Sequence, residues 1–472
     1  MRNYFPNLGR AGYLTWGMGL FLGKYLLDRS VATYVFSRPW LPGDYLRPSH
    51  YYDLWSVPKD EYSFYATLTA LSVPFMICGL WLTIRRLRDA GLPPWFCPLF
   101  FVPLLNLLFF AILCVMKARG KAPGDSILFD SLPPDAFPAG EPEPMAGKTA
   151  PPPSGRFITA VRAIGITAAL GLLLAFFGAS VLKTYGVGLF LGVPFCLGLF
   201  STLLMTQDEP RGFGQCLAAG MATLAVVGVG LLALSLEGLY CLLMAAPVAM
   251  VLAWAGVAMG YAIRLAEDYQ YAQSHGSFFG VGLLMLPAIM AYEHGLNSNL
   301  PLLEVKSSVC IRAKPDVVWK QVIAFPEIPA PTDWLFRTGI AYPIRAEIDG
   351  AGPGAIRRCV FSTGAFVEPI TVWDEPRLLK FSVEAQPPPM VEWSFREHVH
   401  AAHLNGYLQS HQGQFLLTDA PGGETRLEGT TWYTNRMWPQ WYWRLWSDFI
   451  IHRIHLRVLD HIKAEAEMVT VK

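Results

Sequence analysis

The sequence predicts a polytopic α-helical membrane protein that continues into an α+β domain with an antiparallel sheet and a long C-terminal helix. Charged residues make up only 15% of the chain, whereas soluble domains average about 25%. Before position 295 the apolar residues occur in blocks of about 20, the length that crosses the hydrocarbon core of a bilayer. From residue 301 the pattern changes to short runs separated by Gly, Pro and Asp, which is typical of strands and turns.

The apolar blocks define the membrane part, and the bilayer is therefore the first expected partner. Candidate spans are residues 12–28, 62–84, 158–181, 186–206, 213–236, 239–263 and 277–293. They form two modules, residues 1–117 and 157–295, and the linker at 118–156 is rich in Pro, Gly and Ala without periodicity. The net charge is +1, so no nucleic acid partner is expected. The sequence identifies no protein partner.

The segment 95–116 decides on which side of the membrane the C-terminal domain lies. It is long enough to cross once, but Pro103 and Asn106 interrupt it near the middle. Basic residues precede it at 85–88 and follow it at 117–121, and the positive-inside rule favours both clusters in the cytoplasm. A re-entrant hairpin satisfies this rule and places residues 301–472 outside the cytoplasm. A single crossing would place them inside.

The first module carries a family resemblance at RRLRDAGLPPWF, residues 85–96, and at the following KAPGDSILFD. Over roughly residues 5–130 it resembles a small bacterial inner-membrane family of unknown function, whose signature is an Arg-Leu-His-Asp-x-Gly loop. Arg88 stands where that family usually has histidine. The resemblance implies a multi-pass protein of the bacterial inner membrane, with residues 301–472 then in the periplasm, and it implies no activity.

The C-terminal domain is predicted to begin with a strand and to end with a helix that starts near Pro439. Strands are expected at 303–312, 341–350, 354–363, 365–374, 378–386, 406–419 and 425–436, with a helix from Pro315 after the first of them. This order, and the stretch SSVCIRAKPDVVWKQVIAFPEIP in particular, resembles the helix-grip fold of the START-like or SRPBCC superfamily, in its polyketide cyclase/dehydrase and lipid-transport branch. The resemblance implies an apolar cavity between the sheet and the terminal helix that holds a hydrophobic small molecule or lipid.

Four of the ten histidines lie within EHVHAAHLNGYLQSHQG, residues 397–413. His398, His400 and His403 could converge on a metal, because imidazole is a common zinc ligand. No cysteine lies near them and no HExxH motif is present, so we expect a loop at the cavity mouth. His400 and His403 are thus expected to bind ligand, and neither a metal nor another cofactor is expected.

The terminal helix places Asp448, His452 and His455 at positions i, i+4 and i+7, on one face. A carboxylate that orients an imidazole is the arrangement of a general base. The alternative is a charged helix face opposite the apolar stripe of Trp446, Ile450 and Ile454.

Glu368 is expected to be a buried carboxylate, because the strand AFVEPITVW around it is apolar. It either pairs with Arg357 or Arg358 or binds the polar group of a ligand, since an unpaired buried carboxylate is costly.

Aromatic residues and cysteines complete the set of candidates. Trp373, Trp432 and Trp443 could line the cavity, form an interfacial belt or belong to the core. Six of the eight cysteines lie in or beside apolar runs, where a thiol behaves as a small hydrophobe. The expected function is binding or passing a hydrophobic molecule at the bilayer. The alternatives are a cyclase- or hydratase-like enzyme that uses Asp448, His452 and Glu368, and a regulatory protein without turnover.

Overall fold

A computed structural model describes most of the chain. The described residues are 8–46, 62–92, 94–101, 105–116, 153–266, 275–295, 300–395 and 401–471. The predicted histidines His398 and His400 lie outside them.

The membrane part is mostly helical in its described ranges. Its helices are α1 (Arg10–Tyr34), α2 (Tyr62–Asp89), α3 (Leu105–Val115), α4 (Pro153–Phe176), α5 (Val193–Met205), α6 (Phe213–Ala233), α7 (Leu239–Ala266) and α8 (His275–Gly295). In the described part of the chain, five helices are long and apolar enough to cross a membrane: Ser63–Asp89, Arg156–Val181, Gly188–Met205, Phe213–Ala233 and Leu239–Leu265. The chain is a multi-helix membrane protein, as its composition predicts. The expected spans at 12–28 and 277–293 are helical but are not among these five.

The segment after α2 folds back on that helix. A 3₁₀ helix (Pro94–Phe101) precedes α3, and the two ends of the segment meet near Arg86, which is fully buried. Arg86 Nε donates to Leu113 O at 3.0 Å, and its Nη1 pairs with Asp89 Oδ2 at 2.6 Å. The start and the end of the segment therefore lie together at the C-terminal end of α2, the arrangement that a hairpin has.

The motif RRLRDAG, residues 85–91, forms the same corner. Arg86 and Asp89 form the buried ion pair, while Arg88 is exposed. Gly91 has a φ of +73° and ends α2, with the Leu92 amide donating to Leu87 O at 2.7 Å. A left-handed residue after a helix favours glycine, because it has no Cβ. The motif thus stabilises the turn from α2 into the returning segment.

The second module packs through glycines. An added Cβ at Gly198 of α5 would lie 2.0 Å from Ala253 O of α7, and one at Gly256 would lie 2.0 Å from Phe195 O. Helix backbones in a membrane approach this closely where small residues form the contact. Helices α5 and α7 therefore form the closely packed centre of this module.

The C-terminal domain is a single antiparallel sheet of seven strands. The strands are β1 (Leu303–Ile311), β2 (Pro343–Asp349), β3 (Ile356–Phe361), β4 (Gly364–Asp374), β5 (Leu378–Ser382), β6 (Leu408–Ala420) and β7 (Glu424–Asn435), in the order β1-β7-β6-β5-β4-β3-β2. Two helices, α9 (Pro315–Ile323) and α10 (Trp334–Arg337), follow β1, and α11 (Gln440–Val471) ends the chain. Register shifts at 370–372 in β4 and at 410–412 in β6 mark irregularities of the kind that bend a sheet.

Helix α11 lies against this sheet and closes its core. Its residues Val458, Leu459 and Ile462 are buried with Trp319 of α9 and Leu427 of β7. This is the helix-grip architecture that the order of predicted strands and helices indicates. Cys310 on β1 and Cys359 on β3 are both free thiols, because their strands lie far apart in the sheet order.

The domain packs onto one end of the second membrane module. The Leu239 amide at the start of α7 donates to Trp393 O at 2.9 Å, and Ser394 Oγ donates to Leu232 O at 3.1 Å. The Trp438 amide donates to Tyr185 O at 3.0 Å. These contacts join the domain to the C-terminal ends of α4 and α6 and to the N-terminal end of α7. The C-terminal end of α8, from which the chain enters the domain, lies on the same side.

Candidate functional site

A cavity of about 120 Å³ lies between the sheet and α11. Its lining comes from both the strands and the helix, and it combines aromatic and aliphatic side chains with several polar ones. The lining includes Arg357, Cys359, Phe361, Phe366, Glu368, Phe381, Ser410, Gln412, Gln414, Phe415, Thr430, Thr431, Ile451, Ile454, His455 and Val458. A concave apolar site with a few convergent polar groups is the usual form of a small-molecule site.

Arg357 and Glu368 form the charged group of this cavity. They face each other on the neighbouring strands β3 and β4, their side chains are 2% and 8% exposed, and Arg357 Nη1 donates to Glu368 Oε2. Burial raises the pKa of Glu368, and the nearby Arg357 opposes this effect. Glu368 thus has the arginine partner that its apolar strand requires.

The guanidinium of Arg357 is enclosed by aromatic rings, and its Nε is a buried donor. Its carbon lies 5.7 Å from the ring centre of Phe325 and 5.5 Å from those of Phe381 and Phe415. Within the described structure, Arg357 Nε is buried and has no hydrogen-bond partner. A buried donor without a partner costs about 1–3 kcal/mol. Arg357 Nε and Thr430 Oγ1, which is also buried without a partner in the described structure, are thus two polar atoms of the lining residues that a ligand could satisfy.

Two further titratable groups of the cavity are neutral at pH 7. Burial raises the pKa of Cys359 to about 12. Burial, with a smaller effect of His452, lowers the pKa of His455 to about 4. The His455 ring is held by Thr431 Oγ1, 2.7 Å from Nε2, and by Ser307 Oγ, 3.1 Å from Nδ1. Its position in the lining was not predicted, because it was placed on the charged helix face with Asp448.

The proposed acid/base pair on α11 does not form. Asp448 Oδ1 accepts from Tyr433 Oη at 2.5 Å, and its other oxygen accepts from Arg444 Nε at 3.1 Å. His452 is exposed, and its Nδ1 lies 2.7 Å from Ser307 Oγ. The spacing along the helix predicted a hydrogen bond between Asp448 and His452. Instead, each of them is bound by a different strand residue, Tyr433 or Ser307.

The three candidate tryptophans are separated from the cavity. Trp373 packs on Trp319, with ring centres 5.7 Å apart, and Trp432 lies under Lys380, whose Nζ is 5.1 Å from the ring centre. Trp443 is buried at the membrane module, where its ring centre lies 5.1 Å from that of Phe190. None of them is among the residues that line the cavity.

His403 lies in a second site, between the domain and the membrane module. Its Nε2 is 2.8 Å from Cys241 Sγ, and its Nδ1 is 3.2 Å from Glu237 Oε2. Glu237 Oε1 accepts from Tyr185 Oη at 2.5 Å. Glu392 accepts the amides of Tyr240 at 3.1 Å and Cys241 at 3.0 Å. We call Cys241, Glu392, His403 and Glu237 the interface cluster.

Sequence reasoning found only His403 of this cluster. Cys241 is close to the start of an apolar span, where a thiol usually belongs to the core, and Glu237 lies between two predicted spans. Glu392 lies in the loop after β5, about 150 residues downstream of Cys241. The one available indication was an acidic residue placed directly between two apolar blocks, at 213–236 and 239–263.

The first module matches a family, and the match confirms the predicted resemblance. Residues 8–123 match the model of a family described as a protein of unknown function (DUF805). The matched range includes the corner formed by Arg86 and Asp89. No protein with curated annotation matches the chain.

Solved structures similar to the C-terminal part include three proteins of different origin. A protein from Nitrosospira multiformis is 14% identical, covers 36% of this chain and 100% of its own, and has a TM-score of 0.24. An aromatase/cyclase from Streptomyces sp. R1128 is 15% identical, with 36% and 96% covered and a TM-score of 0.25. Norcoclaurine synthase from Thalictrum flavum is 13% identical, with 37% and 99% covered and a TM-score of 0.25.

Proposed function

We propose that this protein holds a helix-grip domain at the surface of a bacterial inner membrane, where the domain binds a hydrophobic small molecule or lipid with a polar end. The observation that carries the proposal is the buried Arg357, which lines the cavity and whose Nε has no hydrogen-bond partner in the described structure. A ligand carbonyl or carboxylate oxygen would accept from this donor. The apolar remainder of the ligand would contact the phenylalanine rings.

The size of the cavity limits the ligand group that fits. A cavity of about 150 Å³ lined by apolar side chains binds benzene, so the 120 Å³ here suits a short acyl segment or one small ring. A longer lipid would place only its polar end and first carbons inside. This supports a carrier or sensor of amphiphiles rather than a store for a whole lipid.

The position of the cavity supports uptake from the bilayer. Ile454 lines the cavity and also packs against the group of Cys241, Leu335 and Phe336 at the contact with the membrane module. Ile454 therefore links the lining of the cavity to the apolar cluster at the start of α7. The segment 95–116 folds back on α2. This supports the hairpin topology, and with it a periplasmic position for the domain.

Photocrosslinking of the full-length protein in nanodiscs of bacterial lipids tests this function. The probe is a diazirine-labelled palmitic acid, and the labelled peptides are identified by mass spectrometry. We expect labelling of peptides that contain β3, β4 and the cavity side of α11. The double variant Arg357→Met/Glu368→Leu should lose most of this labelling, because it removes the donor and keeps the apolar volume.

The matched control is the exposed ion pair Arg345–Glu347, whose side chains are 45% and 60% exposed. Arg345→Met/Glu347→Leu should leave the labelling unchanged. Labelling confined to the membrane helices, or equal labelling of both double variants, would contradict ligand binding at Arg357.

A further inference from the structure

The interface cluster brings three kinds of metal-ligating side chain together in a buried place. Cys241 comes from α7, Glu392 from the loop after β5, and His403 from the 3₁₀ turn Ala402–Leu404. Their exposed fractions are 7%, 9% and 5%. One ligand atom from each lies within 4.8 Å of the other two. The cluster is therefore shared between the membrane module and the domain.

The spacing of these atoms is close to that of a zinc site. Bonds of about 2.0–2.3 Å to sulfur, nitrogen and oxygen in a tetrahedron place the ligand atoms about 3.3–3.7 Å apart. The Sγ and Nε2 atoms are 2.8 Å apart here. Changes in side-chain torsions that move these atoms by about 1 Å or less would place all three at bonding distance from one metal ion.

The surroundings of His403 place a carboxylate behind its ring. Nδ1 lies 3.2 Å from Glu237 Oε2 but has no hydrogen-bond partner in the described structure, so a small rotation of the ring would let Nδ1–H donate to this carboxylate and leave the Nε2 lone pair for a metal. A carboxylate behind the imidazole is the usual second contact of a metal-bound histidine. Tyr185 fixes Glu237 in turn, at 2.5 Å from its other oxygen.

The charges of the cluster also indicate a cation. Glu237 and Glu392 are both buried, and in the described structure neither forms a salt bridge with a lysine or arginine. Glu392 accepts the amides of Tyr240 and Cys241 and interacts with the Cys241 thiol, and a carboxylate retains further lone pairs for a metal. Buried charges in proteins are paired or bind metals, and a divalent ion would compensate both carboxylates and a thiolate.

We propose that Cys241, Glu392 and His403 bind a divalent transition metal of the Zn²⁺ class, with water as the fourth ligand and Glu237 orienting His403. Binding joins α7 to the loop before β6 and fixes the domain on the membrane module. The bond formed is metal to thiolate, and the thiol proton is released to solvent. The cluster differs from the cavity in place and in chemistry.

Cobalt binding to the full-length protein in detergent tests the site directly. The metal-stripped protein is titrated with Co²⁺, whose thiolate ligation gives a charge-transfer absorption band, and bound Zn²⁺ is measured by mass spectrometry. We expect one equivalent per chain, with the thiolate band present. Cys241→Ser should abolish the band, and His403→Gln should weaken Co²⁺ binding at least tenfold.

The controls use residues of the same type outside the cluster. Cys216→Ser replaces another buried cysteine of the membrane module, and His411→Gln replaces an exposed histidine of β6. Both should bind Co²⁺ like the wild type.

A folded wild-type protein that shows no thiolate band would overturn the proposal, whether or not the variants fold. So would equal binding by Cys241→Ser and Cys216→Ser. Rapid alkylation of Cys241 without metal binding would identify a thiol–imidazole pair instead.

Discussion

Breaking the buried pair Arg357–Glu368 is expected to be far more costly than replacing it as a whole. Arg357→Met leaves a carboxylate and Glu368→Leu leaves a guanidinium, each buried at a site where the side chains are 2% and 8% exposed. Removing one partner of a buried ion pair costs about 3–5 kcal/mol. With a urea m-value of about 2 kcal/mol/M, each single variant should lower the unfolding midpoint by roughly 1.5–2.5 M.

The double variant Arg357→Met/Glu368→Leu should be within about 1 kcal/mol of the wild type, because well-packed hydrophobic residues often replace a buried pair at no cost. The rings of Phe325, Phe381 and Phe415 already surround the guanidinium and would contact the methionine. The double variant is therefore expected to be more stable than either single variant.

Pulse proteolysis of the full-length protein across a urea series measures these differences, with an epitope after Lys472 reporting the C-terminal domain. The exposed pair Arg345–Glu347 is the control, and its single variants should cost less than about 1 kcal/mol. Single variants of the buried pair that are equally mild would refute the reasoning. So would a double variant that loses the sum of both single losses.

The pH dependence of Arg357→Met gives an independent check on the same pair. Burial raises the pKa of Glu368, with Arg357 opposing this effect, so the unpaired carboxyl takes up a proton in the folded state more readily than in the unfolded state. Stability then increases as the pH falls. Arg357→Met should be less destabilised at pH 5 than at pH 8. Equal destabilisation at both pH values would show that Glu368 is solvated in the variant, and would contradict its burial.

Three further outcomes are expected. His455 has a pKa of about 4, lowered by burial, so the unfolded chain binds more protons than the folded chain between pH 6.5 and pH 4. Acidification over this range should therefore lower the free energy of unfolding by up to about 3 kcal/mol. His455→Gln should reduce this dependence of stability on pH in urea unfolding, and an unchanged dependence would contradict the reasoning. Gly256→Ala should destabilise the protein in detergent by about 1–3 kcal/mol and so lower its thermal midpoint, because the added Cβ overpacks α5 against α7. Gly228→Ala, with nothing within 4 Å of its Cβ, should not lower the midpoint. A periplasm-active enzyme fused after Lys472 should be active while a cytoplasm-active fluorophore inserted in residues 118–152 fluoresces, and the reverse would exclude the hairpin.

Local patterns were sufficient for the architecture. Apolar block length gave the membrane helices, and turn residues between alternating runs gave the strands of the sheet, from 303–311 to 424–435. The apolar strand around Glu368 also indicated a buried pair, because a lone carboxylate there would be too costly. These conclusions depend on neighbours in the chain, which is why the sequence alone reaches them.

Residue spacing failed where hydrogen-bond partners come from other elements. Asp448 and His452 are one helical turn apart, yet Tyr433 and Ser307 from the sheet bind them separately. His455 was placed on the charged face, and it lines the cavity because α11 lies on the sheet with that side inward. The orientation of a helix on its sheet is decided by packing and not by its own sequence.

A membrane protein with a helix-grip domain follows from local patterns in the chain, because burial periodicity and span length are local properties. The positions of the reactive groups depend instead on tertiary packing. Cys241 and His403 are 162 positions apart, and packing of the domain on the membrane module brings them together. The free donor of Arg357 likewise becomes apparent only once three rings from separate elements enclose it, because hydrogen-bond satisfaction depends on all neighbours in space.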